Sequence, residues 1–190
     1  SARGAIVVAP DRAAGQYQRR SNARLFADAG GSLRQLLKML RVHQWAKNIL
    51  VAVPAILAND LLNLSTLAEC LVAFVAFSFA ASSIYIINDL VDLPLDRKHK
   101  TKRNRPIAAG RVSIPVALAT AGALMLAALS MSLLLPPLFG LVLGSYVLMT
   151  TAYSFALKRM LLIDVLTLAG LYTVRVVAGA AATMIDVSFW

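Results

Sequence analysis

Residues 88–110 read NDLVDLPLDRKHKTKRNRPIAAG. Three aspartates, Asp89, Asp92 and Asp96, stand beside Arg97, Lys98, Lys100, Lys102, Arg103 and Arg105, and a long apolar run lies on each side. Working outward, apolar segments occupy about residues 48–64, 66–88, 113–135, 137–157 and 160–182. Crossing the hydrocarbon core of a bilayer takes about 20 residues at 1.5 Å each, and the last four segments reach that length. The first is interrupted by Pro54, Asn59 and Asp60. Composition agrees: 59% of the 190 residues are hydrophobic, against roughly 45–50% in an ordinary soluble domain. The mean hydropathy is +0.71. A single cysteine, Cys70, excludes a disulfide within the chain.

The formal net charge of +10 raises nucleic acid or an anionic membrane surface as a partner. Position decides between them. Of the 19 Lys and Arg, nine lie in residues 1–47, seven in 97–111, two at Lys158-Arg159 and one at Arg175. The loops near 59–65, 136–137 and 183–188 carry none. Basic and bare loops alternate, which is the positive-inside pattern. It places the N-terminus, the 89–112 loop and the 158–159 turn in the cytoplasm, on a multi-pass protein of the cytoplasmic (inner) membrane. It also requires the interrupted first segment to span, since otherwise residues 1–47 and the 97–111 cluster fall on opposite sides. Nucleic acid is an unnecessary explanation. The expected fold is all-α, a polytopic transmembrane helix bundle.

Residues 1–31 are a water-compatible tail ahead of a membrane domain over 32–190. Ala5-Ile6-Val7-Val8-Ala9 reads as a strand, and the Arg-rich stretch to Arg24 as a helix capped by Asp11. This is either a partly ordered cytosolic tail or the remnant of a soluble α/β domain. GAIVVAP is too short for the apolar core of a signal peptide. The opening at Ser1 and the close at Trp190 suggest a piece of a longer protein. SLRQLLKMLRVHQWAK, residues 32–47, places Leu33, Leu36, Leu37 and Leu40 on one helical face and Arg34, Lys38 and Arg41 on others. That predicts a basic amphipathic helix on a membrane surface, with Trp45 as an interfacial aromatic.

In the opening stretch, a helix would align Asn88, Asp89, Asp92 and Asp96 with Tyr85. Pro94 predicts a break, with the span ending near Asp92 and helix resuming from Pro94. Three carboxylates this close repel one another unless neutralised. Mg²⁺ takes oxygen ligands and commonly bridges one or two carboxylates to a substrate's phosphates. With Arg97, Lys102 and Arg105 alongside, the set suits a diphosphate. The basic residues alone are equally explained by topology. That reading accounts less well for Asn88 and Asp89, which follow directly on SSIYII at the membrane boundary, where ionisable groups are costly. Asp164 and Arg175 lie close to three helical turns apart on one face of the fifth span, a substrate site or a purely structural ion pair. Tyr153 and Lys158, ending the fourth span on the same side, are candidate phosphate contacts. The small residues of the spans suit close helix packing.

HQWAKN (43–48), NDLVDLPLDRKHKTKRNRPIAAG (88–110), AYSFALK (152–158) and DVLTLAGLYTVRVVAG (164–179) together resemble the UbiA superfamily of intramembrane prenyltransferases. Within it they look like the decaprenyl-phosphate phosphoribosyltransferase branch. Lys100 departs from that branch, which often has proline there. GAIVVAPDRAAGQYQRR resembles the end of a haloacid-dehalogenase-type domain fused ahead of such a bundle.

The resemblance implies nine transmembrane helices, of which about five are present, and a second charged motif after the fifth. It implies that this piece alone is inactive. The implied activity is Mg²⁺-dependent transfer of phosphoribosyl from phosphoribosyl pyrophosphate to a polyprenyl phosphate. Movement of a polyprenyl chain from its diphosphate to an aromatic or other acceptor is the alternative, and a non-enzymatic transporter or structural protein the third. Asp89, Asp92 and Asp96 would hold the metal and diphosphate, with Asn88 assisting. Arg97, Lys102, Arg105, Tyr153, Lys158 and Arg175 would contact substrate, and Asp164 would orient Arg175 or a basic neighbour. Homo-oligomerisation stays open.

Overall fold

The computed structural model describes residues 6–8, 24–26, 33–155 and 161–186. Ile6–Val8 (β1) and Arg24–Phe26 (β2) pair in parallel, with Ile6 opposite Arg24. β1 falls within the predicted strand. β2 is a strand the sequence reading does not name, beginning at Arg24 where its helix ends. The helix expected after Asp11 lies outside the described residues.

The bundle begins with α1 (Leu33–Leu40), a 3₁₀ segment (Val42–Ala52) and α2 (Val53–Leu57). Four long helices follow: α3 (Leu64–Val91), α5 (Ile114–Ser132), α6 (Pro137–Phe155) and α7 (Leu161–Thr183). The short α4 (Leu93–Lys98) lies in the loop after α3. Each of the four long helices is long and apolar enough to cross a membrane. α3 ends at Val91 with Asp92 as its cap, and Pro94 sits in the first turn of α4. The break falls where proline removes a backbone donor.

α3 is the axis of the bundle. It packs against α5, the 3₁₀ segment, α7, α6 and α1. In its most apolar window 61% is buried, against 17% for α5, so α3 is the core of the described bundle and α5 its least covered long helix. Ala73, Ala76, Phe77, Ala80 and Ile84 recur at helical spacing on its buried face. Small side chains let helices approach where water supplies no hydrophobic drive between them. Leu118, Leu126, Leu133, Leu141, Leu148 and Leu166 point outward, as an apolar solvent permits.

The helix expected over 32–47 stops at Leu40, because Arg41 takes a left-handed backbone (φ 53°). From there the chain runs antiparallel along α3. Arg41 is bonded to Asp89, Trp45 Nε1 donates to Ser82 Oγ, Asn48 Nδ2 donates to Ser78 Oγ, and Asp60 accepts from Thr66 Oγ1. From Thr66 to Asp89 an α-helix rises about 34 Å. The interrupted first segment therefore traverses the depth of the bundle without being one long α-helix. Its 3₁₀ part climbs about 2.0 Å per residue, against 1.5 Å in an α-helix. Trp45 is half-buried in this contact, edge-on to Phe79 at 6.1 Å.

Halfway down, the first segment, α6 and α7 are bolted together by Arg175. Its Nε donates to Asn48 Oδ1 (2.9 Å) and its Nη2 to Tyr146 Oη (3.3 Å), while Nη1 reaches the Leu171 carbonyl. The guanidinium also lies 5.0 Å from the Tyr146 ring centre and 5.7 Å from that of Tyr172. Arg175 is 5% exposed, so every partner it keeps offsets a costly burial. One turn further, Gly179 meets the 3₁₀ segment so closely that a Cβ there would lie 1.9 Å from the Val51 carbonyl oxygen.

Two predictions follow from this packing. Gly179→Ala forces backbones apart and lowers stability by about 1–3 kcal/mol, read as a fall in melting temperature in detergent. Gly122→Ala, with nothing within 4 Å of its Cβ position, leaves the melt unchanged or raises it. Asn48→Ala and Arg175→Met each destabilise the bundle, and together cost less than their sum. A double-mutant cycle gives a coupling of about 0.5–3 kcal/mol; additivity contradicts the bolt.

Candidate active site at one mouth of the bundle

The acidic stretch comes together where α3 ends. Asp89 and Asp96 are 5% and 2% exposed, and two turns of nearly continuous helix put them on one side. Arg105 Nη1 donates to Asp89 Oδ1 at 3.0 Å and to Asp96 Oδ2 at 2.6 Å. Arg41 Nη2 donates to the same Asp89 oxygen at 2.7 Å, with its guanidinium 5.0 Å from the Tyr85 ring centre. Two acids and two guanidiniums thus form a chain, Arg41–Asp89–Arg105–Asp96. Buried carboxylates persist only when paired in this way.

Local structure explains how each base arrives. Arg41 is aimed by its left-handed backbone at the junction of α1 and the 3₁₀ segment. Arg105 is aimed by the turn that follows it. Pro106 and Ile107 are buried, Ile107 packing in a cluster with Met39, Ile86, Val112, Ala117 and Ala121. Ala109 N donates to the Arg105 carbonyl at 2.8 Å, and Gly110 closes the turn at φ 69°, a conformation glycine adopts at little cost. The run RPIAAG is therefore a pedestal for one guanidinium.

The other predicted residues are placed as follows. Asn88 Nδ2 donates to Ser154 Oγ (2.9 Å), which donates to the Thr150 carbonyl, tying α3 to α6 beside the mouth. Asp92 is half-buried at the α3 cap, and Tyr153 is half-buried next to Ser154. Arg97 on α4 and Lys102 on the following 3₁₀ turn are exposed. Lys158 and the side chain of Asp164 lie outside the described residues. Arg175 does not join the mouth. Its partner Asn48 is bonded to Ser78, about 16 Å along α3 from Asp89 by helical rise. The sequence reading overlooks Arg41, Ser154 and Asn48 as site or support residues. Asn48 carried a signal, a polar side chain opening an apolar run.

Among the described residues no three His, Cys, Asp or Glu side chains close on one metal position. Asp89 Oδ1 and Asp96 Oδ2 nevertheless converge on one cationic nitrogen. They are hard oxygen donors, the kind Mg²⁺ takes while keeping several waters. The chemistry of the pair is compatible with such an ion.

Comparison with known proteins agrees with this geometry. Residues 49–190 match the model of the UbiA prenyltransferase family. The decaprenyl-phosphate phosphoribosyltransferase of Mycobacterium tuberculosis is 39% identical over 159 residues, covering 82% of this chain and 53% of that protein. An uncharacterized protein, y4nM, of Sinorhizobium fredii is 39% identical over 158 residues, 83% of this chain and 31% of its own length. The nodulation protein NoeC of Azorhizobium caulinodans is 34% identical, covering 77% of this chain and 48% of that one. The chain thus spans about half or less of the relatives it matches. A UbiA homolog from Archaeoglobus fulgidus, solved with DMAPP and Mg²⁺, shares the fold at a TM-score of 0.66 and 22% identity, over 80% of this chain and 56% of that one. A digeranylgeranylglyceryl phosphate synthase does so at 0.68 and 20%, over 80% and 55%. The chain is a multi-pass membrane protein and belongs to the UbiA prenyltransferase family.

Proposed function

We propose that this chain carries the metal- and diphosphate-binding part of a membrane transferase that moves phosphoribosyl from phosphoribosyl pyrophosphate to a polyprenyl phosphate. The observation that carries the reading is the convergence of two buried carboxylates on one cation position, flanked by a second guanidinium, at the mouth of an apolar bundle. A lipid acceptor can reach such a mouth from the bilayer and a soluble donor from the water. Relatives named for this reaction at 39% identity favour phosphoribosyl over prenyl transfer.

In this reading Asp89 and Asp96 hold Mg²⁺, with Asp92 next to them on the same loop. Bound there, the ion would offset charge developing on departing pyrophosphate. Arg41 and Arg105, with exposed Arg97 and Lys102, present cations to the donor's phosphates, where preorganised charge favours the leaving group. Asn88, held by Ser154, fixes the end of α3 against α6. Tyr153, Lys158 and Asp164 remain in the proposal as further substrate contacts or positioning groups. The basic 97–111 loop and the basic N-terminal segment favour the cytoplasmic side of the inner membrane for this mouth in the proposal.

The test is conversion of labelled phosphoribosyl pyrophosphate to a lipid product by the full-length protein in membranes. Activity should need a divalent cation and fall by about 100-fold or more in Asp96→Asn, the scale of losing one preorganised charge-stabilising group. Prenyl transfer from a polyprenyl diphosphate, without phosphoribosyl transfer, selects the alternative chemistry. Turnover of neither diphosphate selects a non-enzymatic role.

A further inference from the structure

One nitrogen, Arg105 Nη1, serves both buried carboxylates, at 3.0 Å from Asp89 and 2.6 Å from Asp96. These are the oxygens an ion would use to bridge the pair. Mg²⁺ sits about 2.0–2.1 Å from its ligands, so guanidinium and metal cannot share the gap. We propose that Arg105 is a resident counterion of the aspartate pair, displaced when metal binds, and that this exchange couples metal binding to diphosphate binding. The inference rests on the reading of Asp89 and Asp96 as metal ligands.

Charge makes the exchange cooperative. Arg41, Asp89, Arg105 and Asp96 sum to zero as they stand. A divalent ion entering between the acids turns that balance into a surplus of two positive charges in a part-buried site. Low effective dielectric makes the surplus costly. A diphosphate removes it, and gives the displaced guanidinium charge-assisted acceptors. Metal alone therefore binds weakly, and metal with diphosphate binds tightly. By linkage each favours the other equally.

The structure also says which part moves. The backbone of Arg105 is pinned by buried Pro106 and Ile107 and by the bond to Ala109, while its side chain is 27% exposed. The exchange is a swing of the side chain toward the open mouth, with the pedestal staying in place. Arg41, 25% exposed and stacked on Tyr85, keeps one oxygen of Asp89 neutralised during the swing.

Mn²⁺ binding to the full-length protein in nanodiscs, followed by electron paramagnetic resonance at matched free Mn²⁺, tests this without any transfer reaction. For the wild type, inorganic pyrophosphate should tighten Mn²⁺ binding by about tenfold or more, within the usual range of coupling between sites. Arg105→Met should bind Mn²⁺ alone about tenfold more tightly than the wild type and lose most of the pyrophosphate effect. Damage to the fold would move affinity the other way. Arg105→Lys, which keeps the charge but loses the fork, should fall between them, and it replaces the methionine variant if that fails to give a cooperative melt. Equal or weaker Mn²⁺ binding in folded Arg105 variants overturns the exchange and leaves the metal site standing. Mn²⁺ binding that ignores pyrophosphate in the wild type also overturns it. Failure of Mn²⁺ to bind any of these proteins overturns the metal reading together with the exchange.

Discussion

Two carboxylates buried at the end of an apolar helix set the terms for the rest of this structure. Asp89 and Asp96 are almost without solvent contact, and an unpaired ion in that position would be expelled or neutralised by a proton. Their partners come from opposite directions in the chain, Arg41 from before the first traverse and Arg105 from beyond the acidic loop. Each has a dedicated backbone device. Arg41 has a left-handed residue that ends α1 and turns the chain into the bundle. Arg105 has a proline-led turn closed by Gly110 and anchored on the cluster under α1. The charged mouth and the hydrophobic packing beneath it are thus parts of one construction.

Below the mouth the bundle is held by contacts that a membrane makes valuable. Short side chains on α3 let its neighbours come close, and three serines, Ser78, Ser82 and Ser83, each find a carbonyl or side-chain partner. Arg175 joins three traverses through neutral acceptors and aromatic faces. That makes the Arg175 layer electrostatically distinct from the mouth. The described ion pairs lie at the mouth, and Arg175 keeps neutral partners.

Much of this was legible in the chain. The four long apolar helices begin and end within a few residues of the runs read from hydropathy, because length and composition alone decide whether a segment can cross a bilayer. The interruption at Pro94 and the grouping of Asp89 with Asp96 also follow from local periodicity. What sequence could not disclose are pairings across long separations. Arg41 looked like one face of an amphipathic helix, and only the fold brings it to Asp89. Arg105 resembled a phosphate ligand, and only the geometry shows it holding two aspartates. Asn48 and Arg175 meet across 127 positions. Trp45 and Ser82 meet across 37 positions. The 3₁₀ stretch escaped for a different reason, since apolar residues in that run fit either helical pitch.

That 3₁₀ stretch also sets a distance. Residues 42–48 join Arg41, bonded to Asp89, to Asn48, which is bonded to Ser78 and Arg175. At the 3₁₀ rise those seven residues span about 14 Å, and at the α-helical rise about 10.5 Å. A change of pitch there would shift one end by about 3.5 Å relative to the other, so the mouth charges and the Arg175 layer are linked through this segment.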